Sequence, residues 1–154
     1  MMKFINCAVV AIMFVPAIVA AQDFDVGLSA YKAQEYDTAL KEWRPLAQQG
    51  NAYAQAFLGT MYANGEGVPQ DEAEAARWNK LSAEQGFALS QLDLGASYAN
   101  GQGVPQDYAE AVRWYRMAAE QGLAKAQYNL GVMYDHGLGV PQDYAEAVRW
   151  YRMA

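Results

Sequence analysis

The chain has 154 residues, of which 53% are hydrophobic, and its 17 acidic and 11 basic side chains give a formal net charge of −6. That length suits one domain, and the acidic balance disfavours nucleic acid and anionic lipid as ligands, because both are bound through clustered lysines and arginines. With one cysteine in total, Cys7, the chain can form no internal disulfide and no thiolate metal site.

Residues 1–21 have the composition of a secretory signal peptide. A short charged start is followed by an apolar run from Phe4 to Val19 and then by small residues. The alternative, an uncleaved anchor, is disfavoured because the run is shorter than the roughly 20 residues that a membrane span needs. We predict cleavage after Ala20 or Ala21, a periplasmic or secreted location, and no membrane association of the mature chain.

Residues 24–50 predict a first pair of short helices. The stretch GLSAYKAQEYDTALKEW has the spacing of a helix pair from the 34-residue class of repeats. Compared with the units that follow, this pair lacks four residues, which fall in the loop between its two helices.

Three longer units follow with a period of 36 residues, at 51–86, 87–122 and 123–154. The sixteen residues GVPQDYAEAVRWYRMA occur at Gly103–Ala118 and again at Gly139–Ala154. Each unit has a helix of small and apolar residues, a Gly-x-Gly break and a second helix. Because short helices of this kind cannot bury their apolar faces within one unit, we predict that the units stack.

The second helices share two predicted features. Asp107 precedes Glu110 by three residues, which is the spacing of a capping box in which the glutamate reaches back to the cap. Glu110 also precedes Arg113 by three residues, which predicts a solvated ion pair. Both spacings recur in the other units, and the tryptophans at the same register are predicted to form the core between units: Trp78, Trp114 and Trp150.

The pattern A-x-x-x-L-G-x-x-Y-x-x-G-x-G-V-P-Q-D-x-x-E-A-x-R-W resembles the Sel-1-like repeat, a subfamily of the tetratricopeptide (TPR) superfamily. It occurs at Ala54–Trp78, at Ala126–Trp150 and, slightly altered, at Ser90–Trp114. Gly27–Leu46 is similar to an ordinary TPR motif. The resemblance implies an all-α fold, a right-handed α-solenoid of antiparallel helix pairs, that binds proteins or peptides.

Other kinds of site are less favoured by the residues present. The Gly-x-Gly pairs follow helices, lack a lysine and recur three times, so we interpret them as linker loops and not as phosphate-binding loops. His136, the only histidine, has no second histidine or cysteine with which to complete a metal site or a catalytic triad. We predict no catalytic residue, no cofactor and no metal.

The resemblance also implies where a partner would bind. The first helices of a TPR-like stack line its concave face, and it is these helices that differ between the last two units while their second helices are identical. Carried over from the superfamily, the groove positions of this chain are Tyr53, Ala56, Thr60, Asn64, Leu89, Leu92, Ala96, Asn100, Lys125, Tyr128, Val132 and His136.

We therefore expect an exported, non-catalytic repeat protein that binds a protein or peptide through its concave face, as a scaffold, regulator or host-interaction factor. One alternative is a β-lactam- or cell-wall-directed enzyme, as suggested for the cysteine-rich relatives from Helicobacter, which carry a disulfide in each repeat. Another is a structural fragment of a longer scaffold. The last unit stops within its second helix, so we also expect an exposed apolar end, with two alternatives: the chain is truncated, or it self-associates through that end.

Overall fold

A computed structural model describes residues 23–154, which form eight α-helices and no strand. The signal peptide predicted for residues 1–21 lies outside the described residues. The helices are α1 (Phe24–Lys32), α2 (Tyr36–Gln48), α3 (Ala52–Asn64), α4 (Glu72–Glu84), α5 (Ala88–Asn100), α6 (Tyr108–Glu120), α7 (Ala124–His136) and α8 (Tyr144–Tyr151). Each helix packs mainly against its neighbours in chain order, and the predicted all-α helical repeat fold is confirmed.

The second helices of the longer units, α4, α6 and α8, begin at aspartate caps, although the predicted capping box is only half correct. Asp107 Oδ1 accepts hydrogen bonds from the backbone N–H groups of Ala109 and Glu110, at 2.9 and 3.1 Å. The Glu110 carboxylate does not reach back, because it pairs with Arg113 at 2.8 Å. The backbone N–H of Asp107 donates instead to the carbonyl of Tyr98. The first and last of the longer units repeat this arrangement.

The Gly-x-Gly loops connect the helices and pack tightly, as expected for linkers. Gly101 ends α5 in the left-handed region, with φ at 70°, where glycine is favoured because it lacks a Cβ. Gly103 also has a positive φ, and a Cβ there would collide with the carbonyl group of Glu72 at the start of α4. These glycines therefore serve the turn and the close approach of successive units.

The tryptophans are buried between helices, which confirms their predicted place in the core. Trp43, Trp78, Trp114 and Trp150 are all buried. The guanidinium groups of Arg77 and Arg113 lie 4.2 and 4.0 Å from the ring centres of the tryptophans that follow them. The arginines paired with glutamates thus also cover the outer side of the core, as long charged side chains commonly do.

Buried glutamines join successive units, a feature that the sequence analysis did not identify. The Gln91 side chain donates to the Ala83 carbonyl at 3.1 Å and accepts from Gln121 Nε2 at 2.8 Å. Gln55 makes the equivalent two bonds, to Ala47 and Gln85. The signal was present as glutamines spaced by 36 residues. Because glutamine is mostly exposed in folded proteins, a periodic glutamine does not by itself indicate core packing.

Candidate functional site

The first helices α3, α5 and α7 supply the predicted groove positions, which differ widely in exposure. Tyr53 and Tyr128 are each 57% exposed, and Leu89 is also exposed. Leu92, by contrast, is only 9% exposed and belongs to the hydrophobic core. An acidic substitution at Leu92 would therefore disturb folding before it disturbed binding.

One cavity opens between α5 and α7, with the end of the chain at its rim. Its volume is about 640 Å³, which is within the range of small-ligand sites. Four predicted groove residues meet there: Leu92, Ala96, Lys125 and Tyr128. Tyr151 of α8 closes its floor beside Asn129. We call this the Tyr128 cavity.

A second cavity, of 430 Å³, opens between α3 and α5 and has α4 as its floor. Three predicted groove residues lie on its walls: Thr60, Asn64 and Ala96. The remaining polar groups come from residues that the sequence analysis did not assign to a site: Gln70, Glu72, Asn79, Asp93, Ser97 and Gln102. We call this the Asn79 cavity.

The Asn79 cavity exists because asparagine replaces a tyrosine of the repeat. In the next unit the Tyr115 ring packs on Gly95, and in the last unit the Tyr151 ring packs on Gly131. Asn79 packs on the equivalent Gly59 but is too short to fill the volume of a ring. The open volume lies at this position.

Asn79 is itself incompletely paired. Its side chain is 5% exposed, and its Oδ1 is buried without a hydrogen-bond partner among the described residues. A buried polar atom left unpaired costs about 1–3 kcal/mol. The Oδ1 lies against Gly59, so the rest of the amide is what lines the polar cavity.

Asp93 lies on α5 between the two cavities and lines both of them. Its side chain reaches solvent, but the surrounding protein desolvates the carboxylate and raises the pKa of Asp93, an effect that the nearby Lys125 ammonium partly opposes. Burial likewise raises the pKa of Tyr115, whose hydroxyl lies near Asn129 and Asp93. The part of α5 between the two cavities is therefore acidic and partly desolvated.

The other predicted groove residues do not join these two cavities. Tyr53 and Leu89 flank a separate cleft of 430 Å³ beside Gln121. His136 Nδ1 lies 3.1 Å from the Val132 carbonyl and 3.9 Å from the Asp135 carboxylate, at the end of α7. Ala56 and Asn100 lie on the same first helices, without lining either cavity.

Two further properties concern the part of the chain that the structure describes. Over residues 23–154, no helix combines the length and the apolar character that a bilayer crossing requires. Within the same range, no group of three His, Cys, Asp or Glu side chains stands together as metal ligands.

Comparison with protein-family models finds the Sel1 repeat at residues 52–87, 88–123 and 124–154. Among solved structures, the chain is similar to a Sel1 repeat protein from Oxalobacter formigenes, with 40% identity and a TM-score of 0.82. That match covers 86% of this chain and 54% of the other. It is also similar to c5321, a protective antigen present in uropathogenic Escherichia coli strains, with 41% identity and a TM-score of 0.81. That match covers 84% of this chain and 29% of the other.

Two curated relatives match a shorter segment. Both are described as exopolysaccharide production negative regulators, one from Rhizobium leguminosarum bv. viciae and one from Rhizobium meliloti. Each is 38% identical over 52 residues, which is 34% of this chain. The chain spans only 20% and 19% of the lengths of these regulators.

Proposed function

The chain belongs to the Sel1 repeat family, and from this membership we propose that it is an exported, non-catalytic binding protein whose concave wall holds a segment of a partner protein. Sel1 repeats form helical scaffolds for protein–protein interaction. The finer proposal concerns the wall made by α3, α5 and α7, the export of the chain and the kind of partner.

The observation that carries the proposal is the arrangement of two cavities in line along successive first helices. The Asn79 cavity lies between α3 and α5, and the Tyr128 cavity lies between α5 and α7. Between them, α5 contributes Asp93 and Ala96 to both. A peptide that runs across α5 can place one side chain in each cavity, which is how grooves of helical proteins commonly select their ligands.

The exposed aromatic side chains support the same surface. Tyr53 and Tyr128 present rings to solvent on first helices, and aromatic residues are enriched at protein interfaces because they bury a large area with few rotatable bonds. The second helices of the last two units are identical in sequence, whereas their first helices differ. This difference between the first and second helices supports a wall whose side chains are adapted to a ligand.

The class of partner we propose is a segment of a regulated protein outside the cytoplasm, such as the exported domain of a sensor. The composition of residues 1–21 supports export, and the names of the two rhizobial relatives support a regulatory role.

The test uses the purified chain and a random peptide library displayed on phage. Enriched peptides are synthesised and titrated calorimetrically against the wild type, Tyr128→Ala and Met117→Ala. Met117 is exposed on the second helix α6, so its variant removes comparable apolar area from a different face. Melting curves followed by circular dichroism establish that each variant is folded.

We expect Tyr128→Ala to weaken binding by about tenfold or more, the usual effect of removing an aromatic anchor, and Met117→Ala to leave binding unchanged. Equal binding by the two variants, or the enrichment of no peptide, would reject the concave wall as the binding surface.

A further inference from the structure

We propose that the Asn79 cavity is a specificity pocket for an arginine side chain, whose guanidinium group binds between Asp93 and Asn79. This inference rests on the proposed function, since it names the side chain that the bound segment contributes at one place on the concave wall.

The charge of the cavity selects a cation. Two carboxylates, Glu72 and Asp93, line it, and no lysine or arginine does. Lys125 approaches Asp93 from the other side, in the Tyr128 cavity. A cationic group entering the Asn79 cavity thus meets two acids, and the one nearby base, Lys125, lies outside the lining of this cavity. The net charge of the whole chain, −6, also favours the approach of a basic segment.

The neutral lining groups supply hydrogen-bonding groups around the acids. Thr60 and Ser97 contribute hydroxyl groups, and Asn79 contributes its side-chain amide, whose Oδ1 lies against Gly59 without a partner. Because the oxygen and nitrogen of an asparagine amide are assigned from their surroundings, the end of the Asn79 amide that faces the cavity can turn to suit a donor. A group with several N–H donors can therefore satisfy a carboxylate, a hydroxyl and this amide together.

Arginine suits these acceptors better than lysine. A guanidinium group has five N–H donors in one plane, pairs with a carboxylate through two parallel bonds, and is less strongly hydrated than an ammonium group. The last property matters because Asp93 is already partly desolvated by the wall. A weakly hydrated cation enters such a site at a lower desolvation cost.

The next unit of the same chain shows what the cavity would contain without this adaptation. At the registers of Asn79 and Asp93 it has Tyr115 and Asn129, and the Asn129 side chain lies near the Tyr115 hydroxyl. At the registers of Glu72 and Gln102 it has Tyr108 and Leu138. Among the described repeats, an open volume and two carboxylates therefore occur together only at Asn79. In the next unit the Tyr115 ring occupies the corresponding volume.

The experiment titrates short blocked peptides against the full chain labelled with ¹⁵N. The peptides are acetyl-Gly-Ala-Xaa-Ala-Gly-amide, with Xaa as arginine, lysine or citrulline, the last being a neutral analogue of arginine with nearly the same shape. Binding is followed through the side-chain amide resonances of Asn79, Asn64 and Gln102. Agmatine, titrated in parallel, distinguishes recognition of an arginine side chain from capture of any small free guanidine.

Two variants take their new residues from other units of the chain. Asn79→Tyr fills the cavity with the ring that Tyr115 and Tyr151 provide elsewhere, and Asp93→Asn introduces the residue found at position 129. We expect the arginine peptide to bind about tenfold more tightly than the citrulline peptide and about threefold more tightly than the lysine peptide. Asn79→Tyr should abolish binding, and Asp93→Asn should make the arginine and citrulline peptides equivalent.

A gain of binding provides the converse test. The double variant Tyr115→Asn, Asn129→Asp recreates both features one unit later and should give a second arginine site, seen as new shifts around α6 and α7. If this variant loses its fold, as judged by its amide spectrum, the two single variants above still decide the question.

The inference is overturned if citrulline and arginine peptides bind alike to the wild type, if Asn79→Tyr binds as the wild type does, or if agmatine binds as tightly as the arginine peptide. None of these results bears on Tyr128→Ala, so the concave wall can stand while the arginine pocket fails. Conversely, the arginine pocket can stand while Tyr128→Ala shows no effect, because the short peptides need no other part of the wall.

Discussion

Gly95 of α5 lies directly beneath the Tyr115 ring of α6, and a Cβ at position 95 would stand 2.6 Å from Tyr115 Cδ1. Gly131 has the same relationship to Tyr151, and Gly27 and Gly59 lie similarly against Trp43 and Asn79. In each helix pair, a glycine on the first helix lets the second helix approach closely. The contact sets how far a side chain of the second helix reaches towards the concave wall, so it links the packing to the site.

Gly95→Ala should destabilise the chain by about 1–3 kcal/mol, the usual cost of forcing a methyl group into a filled core. The cost should nearly disappear in a Tyr115→Ala background, where the ring that opposes the methyl group is gone. A double-mutant cycle by urea unfolding measures this coupling. If the two changes were additive, the ring would not be the obstacle.

The corrected helix cap leads to a second prediction. Asp107→Ala removes the acceptor of two backbone N–H groups and should cost about 1 kcal/mol, whereas Asp107→Asn should cost little because asparagine caps equally well. Glu110→Ala should cost only a few tenths of a kcal/mol, since it breaks an exposed pair with Arg113. In a reciprocal capping box, by contrast, the losses at positions 107 and 110 would be similar. Thermal unfolding of the three variants separates these outcomes.

The buried glutamines differ in how completely they are paired. Gln91 makes two hydrogen bonds, to Ala83 and Gln121, whereas Gln127 donates to Ala119 but has an unpartnered Oε1. Gln91→Leu should therefore cost about 1–3 kcal/mol because it leaves buried groups without partners, and Gln127→Leu should cost less. Urea unfolding of both variants provides the measurement. An equal loss in the two would mean that packing, and not hydrogen bonding, decides the cost.

The sequence predicted the helix pairs because glycine breaks, aspartate caps and tryptophans recur with one period, and each of these signals is local. The proposed concave wall, by contrast, came only from the resemblance to the family and stays a prediction. Asp93 escaped notice because its importance depends on the space left by Asn79, fourteen positions away in the chain and on a different helix. Likewise, Leu92 looked like a groove residue in sequence, yet its burial depends on how closely α6 and α7 pack around it.

The raised pKa of Asp93 predicts a dependence of stability on pH. The folded state binds the proton of the Asp93 carboxyl group more tightly than the unfolded state does, so the ionised carboxylate opposes folding. The free energy of unfolding therefore falls as pH rises from the ordinary aspartate pKa through the raised pKa of Asp93. Asp93→Asn should therefore melt at a higher temperature than the wild type at neutral pH, and the difference should shrink in acid. Melting curves from about pH 3 upward, which covers the range in which most carboxylates titrate, provide the comparison. A constant difference across that range would contradict the assignment.

Filling the Asn79 cavity should stabilise the chain while removing its proposed ligand site. In Asn79→Tyr the new ring would pack on Gly59 as Tyr115 does on Gly95, and it would replace a buried oxygen that has no partner. The expected gain is about 1–3 kcal/mol, which is the cost of leaving such an atom unpaired. The tyrosine hydroxyl would also come near Asp93, where it can donate a hydrogen bond.

Urea unfolding measures the gain, and Tyr115→Asn, which opens the equivalent space one unit later, is the matched variant and should lose stability. A gain in stability together with a loss of arginine-peptide binding is the result expected of a cavity kept open for a ligand at the expense of packing. If Asn79→Tyr were less stable than the wild type, asparagine would be the residue that this packing requires, and the open volume would need no ligand to account for it.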